Sequence, residues 1–200
     1  MAAFKSASKP MPLPLIHSLS GHTLLRSIAR LSLIFILGYG LPMSYPIALA
    51  QSTLEYQVKA AFIYNFLSFT QWLESDAKTI NLCLYGEDHF GQEIDKLQNR
   101  SVGTRPIKVL RGKDPEQLKK CQAIFFSRSV SENLAGILHD LSEKPILTLA
   151  DHSNAISNGV IINMTLVNEK IVFEINLGAA RKSGLDISSK LLQLAVKVHQ

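Results

Sequence analysis

The stretch from Cys121-Gln-Ala-Ile-Phe-Phe-Ser-Arg-Ser129 through residues 131–141 to Pro145-Ile-Leu-Thr-Leu-Ala150 indicates the fold class most clearly. Its two ends are short apolar runs of strand length, and the segment between them is predicted as a helix capped by Ser131. A strand, a helix and a second strand in this order form the crossover unit that joins parallel strands. Runs that are apolar throughout are typical of strands covered on both faces. The stretch therefore predicts a parallel sheet between two layers of helices.

The same alternation continues on both sides of this unit. Residues 170–176 follow a second β-rich run across Asn168-Glu169, which predicts a late antiparallel hairpin although the turn lacks glycine. The predicted fold class is α/β, a single three-layer domain with a mostly parallel sheet, one antiparallel hairpin and helices on both faces. The further strands are predicted at 79–85, 106–110 and 159–167, and the further helices at 90–98, 114–120, 177–183 and 188–199.

Residues 54–73 contain neither glycine nor proline and predict one long first helix. At ~100° per residue, one apolar face has Asn65 at its centre, and the opposite side carries Tyr56, Ile63 and Leu67. A helix that is apolar on both sides is expected to pack against its own core and against a second surface, such as another protomer. Asn65 would then need a hydrogen-bond partner, and a structural hydrogen bond is the simpler interpretation. The face around Asn65 comprises Leu54, Val58, Ala61, Phe62, Phe66, Phe69, Trp72 and Leu73.

The first fifty residues carry four basic side chains and no acidic one. They continue with an apolar run at 31–41, Pro42, and the small-residue sequence Ala48-Leu49-Ala50, which is the pattern of a secretory signal peptide. We therefore expect residues 1–50 to be removed near Ala50 and residues 51–200 to form a periplasmic domain. The apolar run is shorter than the ~20 residues of a spanning helix, and an uncleaved anchor helix is the alternative.

Composition and charge exclude several classes of protein. The chain has 200 residues, of which 46% are hydrophobic, and this content is too high for a disordered protein. Without the four basic residues of the leader, 17 of the 21 basic side chains remain against 16 acidic ones. A near-neutral domain with a single tryptophan is not expected to bind nucleic acid.

Cys83 and Cys121 are the only cysteines of the chain. In an oxidising compartment they favour one disulfide, which would close a loop of about 38 residues. Two buried free thiols are the alternative, and export disfavours them. Two isolated cysteines without a nearby second pair give no indication of a metal site.

Ligands of α/β folds bind beyond the carboxyl ends of the strands, here at the loops 86–89, 127–129 and 151–153. No phosphate loop, dinucleotide fingerprint, nucleophile elbow or zinc-protease motif is present. No catalytic residue, metal or cofactor is therefore predicted, and an unrecognised hydrolase ranks last among the functions. The loop residues that could assemble a metal or acid–base site, although such residues more often form turns, are Glu87, Asp88, His89, Asp151 and His152.

The last strand of the hairpin contains one acidic residue, Glu174, on the side that Phe173 and Ile175 do not share. Arg181 and Lys182 follow within two helical turns and are candidate ion-pair partners. A surface ion pair is one interpretation. The other is a polar patch of Glu174, Asn176 and Arg181 that is presented to a partner protein.

Five blocks of sequence occur in order along residues 54–198. They are Val58-Lys-Ala-Ala-Phe-Ile-Tyr-Asn-Phe66, Leu82-Cys-Leu-Tyr-Gly86, Cys121-Gln-Ala-Ile-Phe-Phe-Ser127, Pro145-Ile-Leu-Thr-Leu149 and Phe173-Glu-Ile-Asn-Leu-Gly-Ala-Ala-Arg-Lys-Ser-Gly-Leu185, the last continued by Ser188-Ser-Lys-Leu-Leu. In this order and spacing they resemble the YfiR family of periplasmic proteins.

The resemblance implies a three-layer α/β protein of the periplasm, usually dimeric and not an enzyme. It implies a protein that binds and inhibits the periplasmic domain of an inner-membrane diguanylate cyclase and that an OmpA-like outer-membrane lipoprotein sequesters in turn. Envelope state would thereby be linked to cyclic-di-GMP signalling and biofilm formation. Cys83 and Cys121 stand where the family has a disulfide, whereas the second cysteine pair of some relatives is absent from residues 154–163.

Two functional hypotheses follow. In the first, the chain represses a membrane cyclase, with Tyr56, Ile63 and Leu67 as apolar contacts to a partner or a second copy. Glu174, Asn176 and Arg181 would form its polar contacts. In the second, the chain is a periplasmic small-ligand binding module of a sensory system and uses the strand-end loops around His89, Arg128 and His152.

Overall fold

The computed structural model describes the backbone of residues 47–73, 76–112 and 114–200, and the side chains from residue 53 onward. The predicted signal peptide lies outside these residues except for its last four, which appear as backbone at the start of the first helix. In the part of the chain that is described, no helix combines the length and apolar character required to cross a bilayer.

Helices and strands alternate along the described chain. The helices are α1 (Ile47–Ser68), α2 (Gln92–Asp95), α3 (Pro115–Leu118), α4 (Leu134–Asp140), α5 (Leu177–Lys182) and α6 (Ser189–Leu194), with one 3₁₀ turn at Arg128–Val130. The strands are β1 (Thr70–Trp72), β2 (Ile80–Tyr85), β3 (Ser101–Val102), β4 (Arg105–Gly112), β5 (Ala123–Phe126), β6 (Leu147–Ala150), β7 (Ile162–Val167), β8 (Lys170–Asn176), β9 (Leu185–Ile187) and β10 (Lys197–His199).

Eight strands form one sheet in the order β10-β8-β7-β6-β5-β2-β4-β3. The pairs from β4 through β2, β5 and β6 to β7 are parallel, and β7 pairs with β8 as an antiparallel hairpin. Its turn residues, Asn168 and Glu169, have φ angles of 47° and 62°, so the turn is of the left-handed kind that hairpins favour. The predicted mostly parallel sheet with a late hairpin is confirmed.

Core packing covers both faces of the central strands. In β5, Ala123 and Phe125 belong to one buried cluster, and Ile124 and Phe126 belong to a second one on the opposite face. The first cluster contains the buried side of α1, and the second contains residues of α3 and α4. The three-layer α/β architecture follows from strands that are apolar on both sides.

The first helix ends earlier than predicted. It stops at Ser68, and residues 70–72 form strand β1, which pairs with Leu185–Ile187. Thr70 ends the helix locally because its hydroxyl donates to the carbonyl of Phe66 at 2.7 Å. Trp72 is then fixed by a bond from its indole nitrogen to the carbonyl of Gln122 at 3.1 Å. These long-range partners override the helical pattern of 54–73.

The buried side of α1 differs in part from the predicted one, although Phe66 and Trp72 of the predicted inner face are buried. Tyr56, Ile63 and Leu67, expected as an outer contact stripe, are buried in the first core cluster. Asn65, expected on a buried face, is exposed. Part of the face predicted around it is exposed as well, namely Leu54, Val58, Ala61 and Leu73. The physical reason is Lys59, which lies on the buried side and finds an ionic partner there.

Smaller differences concern helix ends. Ser131 is not the cap of α4; the helix begins at Leu134 after Asn133, and the 3₁₀ turn precedes it. Residues 197–199 form an edge strand parallel to β8 instead of continuing the last helix, because the amide of Val196 donates to the carbonyl of Phe173. Only four residues of 90–98 are helical. Asp114 and Ser188 cap α3 and α6, since each accepts a bond from the amide of the second residue beyond it.

Cys83 and Cys121 form the expected disulfide, with their Cα atoms 6.1 Å apart and 38 residues between them in sequence. The bond joins β2 to the chain just before β5, and both residues are buried. The alternative of two free thiols is therefore wrong.

Removing the disulfide is expected to lower stability without changing the topology. The Cys83→Ala/Cys121→Ala double variant should lose about 3–4 kcal/mol of unfolding free energy, because the unfolded chain gains the entropy of the opened loop. Urea unfolding followed by circular dichroism measures this difference. Wild-type protein unfolded in the presence of a reductant is the control and should approach the double variant. An unchanged urea midpoint in both would contradict the assignment.

Candidate functional site

Three loops meet at the carboxyl edge of the sheet, after β2, β5 and β6. The hydroxyls of Ser127 and Ser129 lie 2.7 Å apart, and Ser129 accepts a bond from the amide of Glu87 at 2.8 Å. Gly86 has a φ of +99°, and a Cβ there would lie 2.2 Å from the Ser127 hydroxyl. The contact between the first two loops therefore depends on glycine at this position.

A buried charged cluster joins α1 to the third loop. The ammonium of Lys59 is fully buried and donates to Oδ2 of Asp151 at 2.6 Å and to the carboxylate of Glu55. The phenol of Tyr56 donates to the same Asp151 oxygen at 2.8 Å. With Arg128, these residues are called the Lys59 cluster below. It fixes the start of the described helix to the end of β6.

Arg128 covers this cluster from the solvent side. Its Nε donates to the backbone carbonyl of Asp151 at 3.1 Å, and its guanidinium lies 3.9 Å from the carboxylates of both Glu55 and Asp151. The formal charges of two basic and two acidic side chains thus sum to zero in the Lys59 cluster. The arrangement compensates part of the cost of burying charge, and Oδ1 of Asp151 has no hydrogen-bond partner among the described residues.

The loop histidines and acids are only partly brought together: Nε2 of His89 lies 3.8 Å from the Glu87 carboxylate, whereas Asp88 pairs with Arg111 at 2.7 Å. His152 is buried and its Nδ1 lies 2.9 Å from the carbonyl of Ser153, whereas His89 packs against the Tyr56 ring at 5.4 Å between centroids. Within the described residues, no three His, Cys, Asp or Glu side chains are grouped so that they could hold a metal ion. The carboxylate of Asp151 is engaged by Lys59 and Tyr56. The geometry supports a fixed structural clamp.

Lys59 is the residue of this cluster that sequence reasoning missed. Its position gives a signal, because it stands three residues after Tyr56 and four before Ile63 on one helical stripe. A single cation inside an otherwise apolar stripe indicates a buried partner. Asp151, at the end of a buried strand, was the acid that the loop analysis had already singled out.

Burial raises the pKa of the Tyr56 phenol well above its usual value near 10, and the charge and hydrogen bond of Asp151 act in the same direction. A raised pKa in the folded state favours the protonated form. Its contribution to stability is therefore complete below the unfolded pKa and is lost as pH rises beyond it.

The Tyr56→Phe variant should be less stable than wild type by about 1 kcal/mol near neutral pH, because one buried hydrogen bond to Asp151 is lost. Above pH ~10 the wild-type unfolding free energy should fall more steeply than that of the variant. Denaturant unfolding across this pH range measures both slopes. Tyr64→Phe, whose phenol donates to the carbonyl of Ser101, is the control; parallel slopes in Tyr56→Phe and wild type would contradict the prediction.

Lys59→Met should destabilise the domain by about 3–5 kcal/mol, because it leaves the carboxylate of Asp151 buried without its cation. The double variant Lys59→Met/Asp151→Asn should regain much of this loss, since the introduced amide carries no charge and still accepts from Tyr56. A double-mutant cycle of unfolding free energies measures the coupling. Lys96→Met, which breaks the exposed pair with Glu93, should cost under ~1 kcal/mol. Equal effects at both lysines would be inconsistent with a buried clamp.

The predicted polar patch is only partly brought together. The Glu174 carboxylate pairs with Nε2 of His199 at 2.6 Å, not with Arg181 or Lys182 as the sequence suggested. Asn176 caps α5 by accepting from the amide of Ala179 at 2.9 Å. Arg181 is exposed. The reason for the changed partner is β10, which places His199 beside Asn176 in the sheet. A role of Glu174, Asn176 and Arg181 in partner binding stays a prediction.

An exposed apolar surface lies where α1 meets the hairpin. Leu54 and Val58 are 60% and 36% exposed, and Leu166 across from them is 42% exposed. Together with Ile171 these residues are called the Leu54 patch. They line a groove of about 430 Å³, whose polar wall is formed by Glu55, Glu169 and Lys170. Glu55 also belongs to the Lys59 cluster, so the clamp and the patch share one residue.

Comparison with known proteins gives a family and two remote structures. The model of the YfiR/HmsC-like family matches residues 56–196. A conserved domain protein from Vibrio cholerae O1 biovar El Tor is 11% identical over 72% of this chain, with a TM-score of 0.49. The ABC domain in complex with L-Trp from Streptococcus pneumonia is 12% identical over 72% of this chain, with a TM-score of 0.45. The chain spans 60% of the length of each of these two proteins.

Proposed function

The chain belongs to the YfiR/HmsC-like family, and on this premise we propose that it is a periplasmic regulatory protein that binds and inhibits an inner-membrane diguanylate cyclase. Binding to the periplasmic domain of the cyclase would link envelope state to cyclic-di-GMP signalling and biofilm formation. An OmpA-like outer-membrane lipoprotein would relieve the inhibition by sequestering the repressor. The family match over residues 56–196 is the observation that carries this proposal.

The disulfide between Cys83 and Cys121 supports the proposed compartment. Structural disulfides are formed and kept in oxidising environments such as the periplasm. The basic leader and the small residues before Gln51 have the pattern of a signal peptide and so support export to this compartment.

The charged cluster at the sheet edge supports regulation rather than catalysis. A catalytic acid or base needs a proton to transfer within reach of a substrate. In this protein the carboxylate of Asp151 is buried and held by Lys59 and Tyr56. The cluster joins α1 to the loop after β6.

We assign the cyclase contact to the Leu54 patch. Contiguous exposed apolar side chains rimmed by charges are typical of protein interaction sites. Leu54 and Val58 lie on the helical segment that the Lys59 cluster anchors, and Leu166 and Ile171 lie on the paired strands of the hairpin. The patch is therefore built on two fixed elements, which favours a preformed contact surface. We propose this patch as the apolar interface in place of Tyr56, Ile63 and Leu67, because those three side chains are buried in the core.

The first experiment measures intracellular cyclic-di-GMP in the native host after deletion of the gene. We expect a rise that is reversed by the gene with its leader and not by residues 51–200 expressed without it. Unchanged levels in the deletion strain would argue against the cyclase role. Reversal by the form without a leader would argue against the periplasm.

The Leu166→Asp and Leu54→Asp variants should fail to restore low cyclic-di-GMP, because a charge in the patch opposes burial of apolar area. Loss of one buried leucine contact, worth about 1.5–3 kcal/mol, corresponds to a ten- to hundredfold weaker complex. Leu194→Asp, at a residue that is 68% exposed outside the patch, is the matched control and should repress normally.

Thermal unfolding of the three variants tests whether each one folds. Sedimentation of the purified proteins shows whether the Leu54 patch binds a second copy of the chain instead of the cyclase. A wild-type dimer that Leu166→Asp converts into a monomer with full repression would identify the patch as the homodimer interface. Normal repression by all three variants would refute the assignment.

A further inference from the structure

A second cavity, distinct from the Leu54 patch, lies between the loop after β6 and the strands β7, β8 and β10. Its volume is about 430 Å³. Glu174 stands between the core residues Phe173 and Ile175, so its side chain is on the opposite face of the sheet from them. The side chains that matter for the argument are Ser157, Asn163, Thr165, Glu174, Asn176 and His199.

Asn163 carries an unsatisfied acceptor in the wall of this cavity. The residue is 6% exposed, and its Oδ1 has no hydrogen-bond partner in the described part of the chain. Buried polar groups are normally paired, because an unpaired one costs stability. The oxygen is closed to solvent in the structure, so a ligand that donates a hydrogen bond would satisfy it once the Asn163 side chain rotates toward the cavity.

Glu174 places a negative charge beside Asn163. The two residues are directly paired across the β7–β8 ladder, and directly opposed residues share one face of a sheet. His199 holds the Glu174 carboxylate through Oε2 at 2.6 Å. The Glu174 carboxylate thus lies on the same face of the sheet as the side chains of Asn163 and of Thr165, which is two residues further along β7.

Of the other polar groups, Ser157 leaves an acceptor and Asn176 leaves the NH2 donor of its amide. The hydroxyl of Ser157 donates to the carbonyl of Asn154 at 2.9 Å, so its oxygen can still accept a hydrogen bond. Oδ1 of Asn176 is used in capping α5. No lysine or arginine is among the described residues that line the cavity, which disfavours phosphates and carboxylates as ligands.

We infer that this cavity binds small aliphatic primary amines through their ammonium group. An ammonium has three N–H donors and no acceptor, and it matches the amide oxygen of Asn163, the carboxylate of Glu174 and the hydroxyl of Thr165. The only apolar side chain among the described lining residues is Ile156, and the only ring is that of His199. A short methylene chain suits these walls better than an aromatic ligand does. This site goes beyond the proposed repressor function and is independent of it.

Isothermal titration calorimetry of the full chain purified from its host tests the inference, with 1,4-diaminobutane as the probe. The matched control ligand is 1,4-butanediol, which has the same chain length without charge. We expect binding of the diamine and at least about tenfold weaker binding of the diol, because the charge-assisted bond to Glu174 is lost.

Glu174→Gln should weaken diamine binding at least about tenfold while the side chain still accepts from His199. Glu116→Gln removes an exposed carboxylate elsewhere and should bind the diamine as wild type does. Thr165→Val is a second variant for the case in which Glu174→Gln does not fold. Nuclear magnetic resonance should show shifts of the Asn163 side-chain amide and the His199 ring when the diamine is added.

Three results would overturn the inference. The first is the absence of heat and of resonance shifts at diamine concentrations up to about 10 mM, where even millimolar sites fill. The second is equal binding of diol and diamine, which would indicate a polyol site. The third is unchanged binding by folded Glu174→Gln and Thr165→Val, which would place the amine elsewhere.

Discussion

The ion pair of Lys59 and Asp151 is the interaction on which the arrangement of the first helix depends. Both side chains are removed from water, and removing two charges from water is costly unless they meet in good geometry. The pair therefore adds less to stability than a well-packed apolar contact would. Its effect is on orientation, since only one rotation of the helix on the sheet lets the ammonium reach the end of β6.

That rotation decides which apolar residues form the core and which stay outside. With Lys59 turned inward, Ile63 and Leu67 fill the core, and Leu54 and Val58 remain at the surface. The opposite rotation would bury Leu54 and Val58 but would separate the buried carboxylate of Asp151 from Lys59. The exposed apolar patch is thus a consequence of the buried pair, and a helical wheel that counts Lys59 as a surface residue places Ile63 and Leu67 wrongly on the outside.

The central strands, the hairpin and the disulfide could be predicted because their signals are local. Apolar runs of four to six residues, a two-residue turn and a single pair of cysteines each carry enough information on their own. The strands β1 and β10 could not be predicted, because each is three residues long and exists through a partner more than twenty residues away. The Lys59 cluster shares this property, since Lys59 and Asp151 lie 92 residues apart in sequence. For the same reason Glu174 was matched to Arg181 nearby instead of His199.

The hairpin of β7 and β8 connects the two candidate surfaces. Its pair Asn163–Glu174 faces the polar cavity, and its pair Leu166–Ile171, three positions further toward the turn, contributes to the Leu54 patch. The distance along the strands is about 10 Å. Energetic coupling between two sites requires an element with two discrete arrangements. The ladder between these pairs is a continuous antiparallel register from residue 162 to residue 175 without a bulge. The structure therefore favours independent occupation of the two surfaces, so that an amine in the cavity and a protein on the patch would bind without influencing each other.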